Sequence, residues 1–310
     1  MELLHQIFNG QQFVNALTLG AIYALIALGY TMVYGVLRLI NFAHGDIYMF
    51  GAFGGFFAAG ALGVTKQLDA GKAIGVGAIV AVFLIAMMAS AAAGTLIERL
   101  AYRPLRSSPR LTTLITAIGV SMLLEYGGQA ISPDPQTFPA LIPDKAIIDT
   151  PKFTLSSVQV TIVVVSFVLM ILLQWIVSRT RMGRAMRAVS QDRAAASLMG
   201  INTDVVIAFT FALGSALAAA AGILNSVYNP SIDPLMGLIV GLKAFVAAVL
   251  GGIGSIPGAV LGGLLMGFAE TAVIAGGKSD YKDAIAFAIL ILVLLIRPAG
   301  LLGRSTPEKV

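Results

Sequence analysis

Residues 158–178, VQVTIVVVSFVLMILLQWIVS, run for 21 positions without a charged side chain. An α-helix rises about 1.5 Å per residue, so a run of this length covers the roughly 30 Å of a bilayer's hydrocarbon core. Comparable runs lie on both sides of it. Read between charged or Pro-rich breaks, the apolar stretches fall near 12–37, 47–64, 73–97, 111–131, 158–178, 204–228, 237–252, 258–275 and 283–297. Composition agrees, since 58% of the 310 residues are hydrophobic and only 11% charged, against about 25% charged in an average soluble domain. Mean hydropathy is +0.91. The expected fold class is therefore all-α, a polytopic transmembrane helix bundle of eight or nine membrane segments. The stretch 47–64 is short, rich in Gly and Ala, and preceded by polar Asn41-Phe42-Ala43-His44-Gly45-Asp46, the pattern of a broken or re-entrant helix sheltered by its neighbours.

Lys and Arg in short loops mark the cytoplasmic side. Arg99, Arg103, Arg106 and Arg110 form one such loop, and Arg179, Arg181, Arg184, Arg187 and Arg193 another. The Pro-rich connection 132–157 sets Asp134, Asp144 and Asp149 against Lys145 and Lys152, and reads as external. Alternation then puts 229–236 and 276–282 outside, with 253–257 and the tail from Arg297 through Arg304 and Lys309 inside. Nine crossings place the N-terminus outside; eight place it inside. The stretch Met1–Gln12 carries no Lys or Arg, unlike the basic start of a cleaved secretory signal, so the first apolar run is expected to stay as a membrane helix.

Several function classes drop out. There is no cysteine, hence neither disulfides nor thiolate metal sites. His5 and His44 are too few for a histidine metal cluster. The net charge of +5 sits in loops between apolar runs rather than on a soluble face, which argues against nucleic acid. Polar stretches are too short for a soluble domain, so the chain reads as a single transmembrane domain over 1–310. Gly251-Gly252-Ile253-Gly254-Ser255-Ile256-Pro257-Gly258 lacks the Lys-Ser/Thr end of a nucleotide loop and reads as a tight hairpin that needs positive φ. Ser121, Glu125 and His44 form no hydrolytic motif, and no catalytic residue is assigned. The small residues along Gly258–Gly267 read as helix packing.

Two sets of residues carry the functional expectations. Residues 180–202, TRMGRAMRAVSQDRAAASLMGIN, are too long for a tight turn and favour a short cytoplasmic helix ended by Gly200, with Asn202 and Asp204 offering caps for the next span. Ionisable groups within spans cost about 2.5–3.5 kcal/mol each and usually face the protein interior. Glu125, Lys243, Glu270 and Asp46 are such groups, open to two readings: pathway residues, or structural pairs and surface groups that snorkel. Lys243 pairing with a carboxylate across the bundle belongs to the second reading.

The stretch Ala194-Ala195-Ala196-Ser197-Leu198-Met199-Gly200 resembles the Glu-Ala-Ala-x-x-x-Gly coupling motif of ABC-importer permeases, with Ala in place of the leading Glu. Longer blocks resemble the LivH type of branched-chain amino acid permease, namely Gly29 to Gly35, Ile40 to Met49, Glu98 to Arg106, Ser178 to Arg187 and Lys243 to Gly258. They are spread in order over nearly the whole chain; the region 132–157 matches least. The resemblance implies an ABC importer permease fold and a bacterial inner-membrane location. It also implies the partners, which are a second related permease, two cytoplasmic ATPases that use the ATP, and a periplasmic binding protein delivering leucine, isoleucine or valine. No cofactor or metal is expected on this chain. Residues 179–203 become the coupling loop, with Arg184, Arg187, Ala195 and Gly200 as contact positions, although arginines in such a loop also serve simply as topology markers. Related permeases carry urea, short amides or other amino acids, and a stand-alone channel or secondary carrier is the remaining alternative.

Overall fold

The computed structural model describes residues 9–39, 41–106, 108–150 and 153–303. Met1 to Phe8, and with them His5, lie outside that range, as do Lys152, Arg304 and Lys309. The helices are α1 (Gly10–Leu37), α2 (His44–Ala61), α3 (Val64–Asp69), α4 (Val76–Ile97), α5 (Arg110–Ile131), α6 (Ser157–Arg179), α7 (Arg181–Gln191), α8 (Arg193–Leu198), α9 (Thr203–Tyr228), α10 (Met236–Gly251), α11 (Ile256–Ala275) and α12 (Lys282–Ile296). Each of the nine apolar stretches holds one helix. Among the described residues, six helical stretches (Gly10–Leu37, Val76–Leu105, Leu111–Ile131, Ser157–Arg179, Thr203–Tyr228 and Ile256–Ala275) are long and apolar enough to cross a membrane. Helices α2, α10 and α12 are shorter or less apolar.

Local chemistry sets many of the ends. Asn9 accepts a hydrogen bond from the backbone N–H of Gln12 at the start of α1, and Ser156 forms a reciprocal capping box with Gln159 at the start of α6. Helix α4 runs on through a π-turn, Glu98–Tyr102, into a 3₁₀ turn, Arg103–Leu105. Pro104 supplies no N–H there, so the regular ladder cannot continue. The hairpin between α10 and α11 places Gly252 at φ +104° and Gly254 at φ +93°, the conformation expected for it.

The core is α1 with α9. In the most apolar window of α1 89% of residues are buried, and in that of α9 72%, against 11% in α5. Lipid-like helix contacts gain little from hydrophobicity, so backbones must come close. A methyl group at Gly263 of α11 would lie about 2.5 Å from the Ala24 backbone of α1, and Gly267 faces Gly20 in the same way. The other side of α11, through Gly258 and Gly262, meets Gly251 and Ala247 of α10. The two sets of small residues thus seat one helix between two neighbours.

Helices α2 and α10 begin inside the bundle. His44 lies against Gly29 of α1, eight residues before that helix ends, a distance of about 12 Å along the axis. Gly45 and Gly237 touch reciprocally, each backbone carbonyl facing the other's Cα, and Gly241 packs on Gly45 as well. From this crossing α2 runs alongside α9, with Gly51 on Ala219 and Gly222 on Tyr48, while α10 runs antiparallel to α11. The two helices therefore start back to back and leave in opposite directions. The irregular segments that feed them are partly covered: Asn41 and Ala43 before α2, and Ile232 and Pro234 before α10, are buried, whereas Arg38, Asn229, Pro230, Ser231 and Leu235 are exposed.

The region 132–157 is not plain loop. Strand β1 (Gln136–Thr137) pairs antiparallel with β4 (Ser231–Ile232), and β2 (Ala146–Thr150) pairs with β3 (Phe153–Ser156). Buried Phe138, Leu141 and Ile232 hold this cap onto α2 and α9. These short strands are a small departure from an all-α reading. The Thr154 N–H donates to Gln11 Oε1 at 2.8 Å and the Gln159 Nε2 to Asn15 Oδ1 at 3.0 Å. The start of α1 therefore sits at the same end as 132–157.

Replacing Gly263 with Leu should separate α1 from α11 and destabilise the fold by at least about 1–3 kcal/mol through overpacking. Thermal unfolding of the detergent-solubilised protein measures this, and an unchanged Tm would contradict the packing described.

Candidate functional site

Three polar clusters stand out in an otherwise apolar bundle. The first joins four helices. Lys243 Nζ of α10 donates to Glu270 Oε1 of α11 at 2.8 Å and pairs with Asp283 Oδ1 of α12 at 2.6 Å. Tyr23 of α1 donates from its hydroxyl to Glu270 Oε2 at 2.7 Å. Lys243 and Glu270 are both buried, and Asp283 is partly open. Removing one member of such a pair leaves an uncompensated charge, a cost of about 3–5 kcal/mol. The carboxylates that Lys243 meets across the bundle are thus Glu270 and Asp283, and Glu270 is not a surface group.

The second cluster lies between α2 and α5. Ser121 donates from Oγ to Asp46 Oδ2 at 2.5 Å, and the Glu125 carboxyl lies next to that of Asp46. Asp46 is 1% exposed and Glu125 8%. Neither forms an ion pair among the described residues. His44, two positions earlier, packs edge-on against the Tyr30 ring with centroids 4.8 Å apart. The Ser121 hydroxyl is committed to Asp46, so Ser121, Glu125 and His44 do not assemble as a nucleophile and its base.

The third cluster sits at the end where α4 stops and α9 begins. Arg106 pairs with buried Glu98 and, at 2.5 Å, with Asp204 Oδ1; Arg103 also pairs with Asp204. Burial and the neighbouring Arg106 guanidinium lower the Arg193 pKa from its ordinary value, while Asp204 and Glu98 act in the opposite direction. Tyr102, in the π-turn, donates to Asn41 Oδ1 at 2.6 Å, which ties this corner to the irregular segment that feeds α2. The sequence marked Arg103 and Arg106 only as topology signals, and Asp204 as a cap. Asn202 alone performs the capping, accepting from the N–H groups of Asp204 and Val205.

Beside this network, residues 180–202 form two helices rather than the expected one. Asp192 breaks them with extended φ and ψ, and its carboxylate accepts from Ala195 N at 2.9 Å to start α8. Helix α7 is amphipathic, burying Gly183, Met186 and Val189 and exposing Arg181, Arg184 and Arg187. Gly183 fits because any side chain there would strike the carbonyls of Ile176 and Val177. Arg184 is exposed. Arg187 donates to the Val177 carbonyl, closing the last turn of α6. Ala195 is exposed on α8, and Gly200 at φ +81° ends that helix through the Gly200 N–H to Ser197 O and Ile201 N–H to Ala196 O bonds. The tip carries Leu198 and Met199, 89% and 82% exposed, a feature that the sequence could not separate from an ordinary buried helix face.

Of the residues singled out from sequence, the fold brings Lys243 and Glu270 together and puts Glu125 elsewhere, with Asp46. Among the described residues no group of three or more His, Cys, Asp or Glu is placed to hold a metal ion. Apolar helices, polar clusters buried between them and a basic segment at one end define a multi-pass membrane protein. The sequence profile of the branched-chain amino acid transport system/permease component family matches residues 12–294, and the chain belongs to that family. It is 45% identical to the high-affinity branched-chain amino acid transport system permease protein LivH of Escherichia coli (strain K12), over 97% of each chain. It is also 45% identical to the corresponding BraD protein of Pseudomonas aeruginosa, over 100% of this chain and 99% of that one. A probable LivH of Methanocaldococcus jannaschii is 27% identical over 93% and 91%.

Replacing Arg106 with Ala should strand the Glu98 carboxylate and destabilise the protein by about 3–5 kcal/mol. The double change of Glu98 to Gln and Arg106 to Met should recover much of that loss, as read from unfolding midpoints of both variants.

Proposed function

We propose that this chain is the membrane-spanning permease subunit of an ATP-binding-cassette importer that carries leucine, isoleucine or valine into the cytoplasm. The observation that carries the reading is 45% identity, over 97% of both chains, to a permease named for that transport. In this reading residues 1–310 form one transmembrane domain in a bacterial inner membrane, with 179–203 on the cytoplasmic side and 132–157 outside. A second related permease completes the pathway. Two separate ATPase subunits bind and hydrolyse ATP, and a periplasmic binding protein delivers the amino acid. The chain itself contributes no catalytic residue and binds neither cofactor nor metal.

The α7–α8 segment is the coupling element. Leu198 and Met199 project from its tip, exposed beyond what a water-facing turn requires, and such apolar anchors fit a cleft on a partner. Gly200 fixes the direction of the tip through its left-handed backbone. Ala195 offers a small exposed surface beside it, and Arg184 a free positive charge. Arg187 braces the corner with α6 and so keeps α7 rigid. When the ATPases close on ATP, displacement of α8 passes directly into α9 through the Asn202 cap and into α4 through the Asp204 and Arg106 pairs. Because α9 is buried along most of its length, its tilt moves the core and opens the path toward the other side.

Replacing Gly200 with Val, or Leu198 with Glu, should lower ATP-driven leucine uptake about tenfold or more in proteoliposomes while the protein still inserts. Replacing Arg184 with Glu should reduce co-purification of the ATPase subunits. Undiminished uptake by both tip variants would remove this segment from coupling.

A further inference from the structure

Helices α4 and α9 meet through a close backbone contact. Gly94 of α4 lies against Ser215 and the Phe211 carbonyl of α9, where a methyl group would have no room. Beside that contact the facing side chains are small. Ala91, Ala92 and Thr95 of α4 and Ala212 of α9 leave a furrow of about 370 Å³ between the two helices. Leu96 and, in the π-turn that extends α4, Arg99 complete its lining. From Ala91 to Arg99 is eight residues of helix, about 12 Å along the axis. The furrow faces outward, since Ala92, Leu96 and Arg99 are exposed and only 17% of the most apolar window of this span is buried.

Its lining carries a single charge. The Thr95 hydroxyl donates to the Ala91 carbonyl at 2.8 Å and is spent within the helix, so Arg99 is the one polar group left for a ligand. Arg103 and Arg106 nearby are held by Asp204 and Glu98, whereas Arg99 joins no ion pair among the described residues. Leu96 and Leu100, 56% and 70% exposed, flank it, so the apolar surface continues to this depth. A guanidinium at the edge of hydrocarbon must reach water or an anion. Apolar along its length and cationic at the basic end, the furrow is the complement of an amphiphile with an alkyl chain and a negative head.

We propose that the α4–α9 furrow binds a phospholipid with an anionic head group, its phosphate on Arg99 and one acyl chain along Ala91, Ala92, Thr95 and Ala212. The site requires only that this span lies in a bilayer, and is independent of the transported solute. A guanidinium offers paired N–H donors that match two phosphate oxygens. The acyl chain restores the dispersion contacts that small side chains leave unmade. A zwitterionic head carries its own cation, so a net negative head is favoured beside an unpaired arginine. Bound there, the lipid lies against the Gly94 contact, about one turn from Glu98, and braces the joint between α4 and α9.

The test places the purified full-length chain in phosphatidylcholine nanodiscs holding a trace of either phosphatidylglycerol or phosphatidylcholine with a photoactivatable diazirine in its acyl chain. Phosphatidylglycerol should label residues 91–96 and 212 about fivefold more than phosphatidylcholine, the worth of one arginine at an anionic surface. Arg99→Gln should bring that ratio within about twofold, and Arg99→Lys should keep part of it. Ala212→Leu, which fills the furrow and leaves the charge, should lower labelling by both lipids. Equal labelling of the unmodified chain by the two lipids, or an unaltered ratio in Arg99→Gln, would overturn the site. So would displacement of the label by soluble glycerol 3-phosphate, which would assign Arg99 to a free phosphate ester. Loss of labelling in the complex purified with its partner subunits would assign the furrow to a protein neighbour and overturn it as well.

Discussion

Hydrocarbon supplies no hydrogen bonds, and this single constraint organises the molecule. Backbone groups in the bundle are satisfied within helices, and several of the side chains that break the apolar pattern find partners inside the protein. Lys243 reaches Glu270 and Asp283, Tyr102 reaches Asn41, and Ser121 reaches Asp46. The starts of α2 and α10 follow the same logic, since Gly45, Gly237 and Gly241 close on one another there, and Asn41, Ala43, Ile232 and Pro234 just before them are buried.

Close backbone approach follows from the same constraint. With little hydrophobic gain between helices in lipid, contact area must come from fit. Gly20, Gly263 and Gly267 fit α1 to α11, and Gly45, Gly237 and Gly241 fit α2 to α10. A rigid centre results, with α5 and α6 at its edges. Such a division suits a machine in which a small element at one end must move a large one. The α7–α8 segment is held by local caps and one corner, whereas α9, to which it connects, is packed along its length. In the coupling role proposed for this segment, force applied at the exposed tip would travel through ionic and helical links rather than dissipate in a flexible loop.

Much of this was legible in the sequence, residue by residue. The charge-free run 158–178 became α6, the glycines at 252 and 254 took positive φ, and Gly200 ended a helix as its position suggested. Other expectations were reshaped. Asp192 split residues 180–202 into two helices because its carboxylate caps α8 more favourably than it sits inside a continuous helix. Arg106, read as one basic loop residue among several, is buried in an ion pair, since the π-turn carries it back toward Glu98. Residues 132–157 gained short strands where their backbone meets residues 231–232, a pairing that no local pattern announces.

By itself the sequence determined where the chain is apolar, where helices start and stop, and which end carries the arginines, because these depend on composition and on neighbours within a few positions. Only the tertiary structure decided which charges meet. The Tyr23–Glu270 bond spans 247 positions and the Asp46–Ser121 bond 75. Such meetings depend on how each helix is rotated and how deeply it begins, and those quantities are set by glycine contacts between distant helices rather than by any stretch of sequence alone.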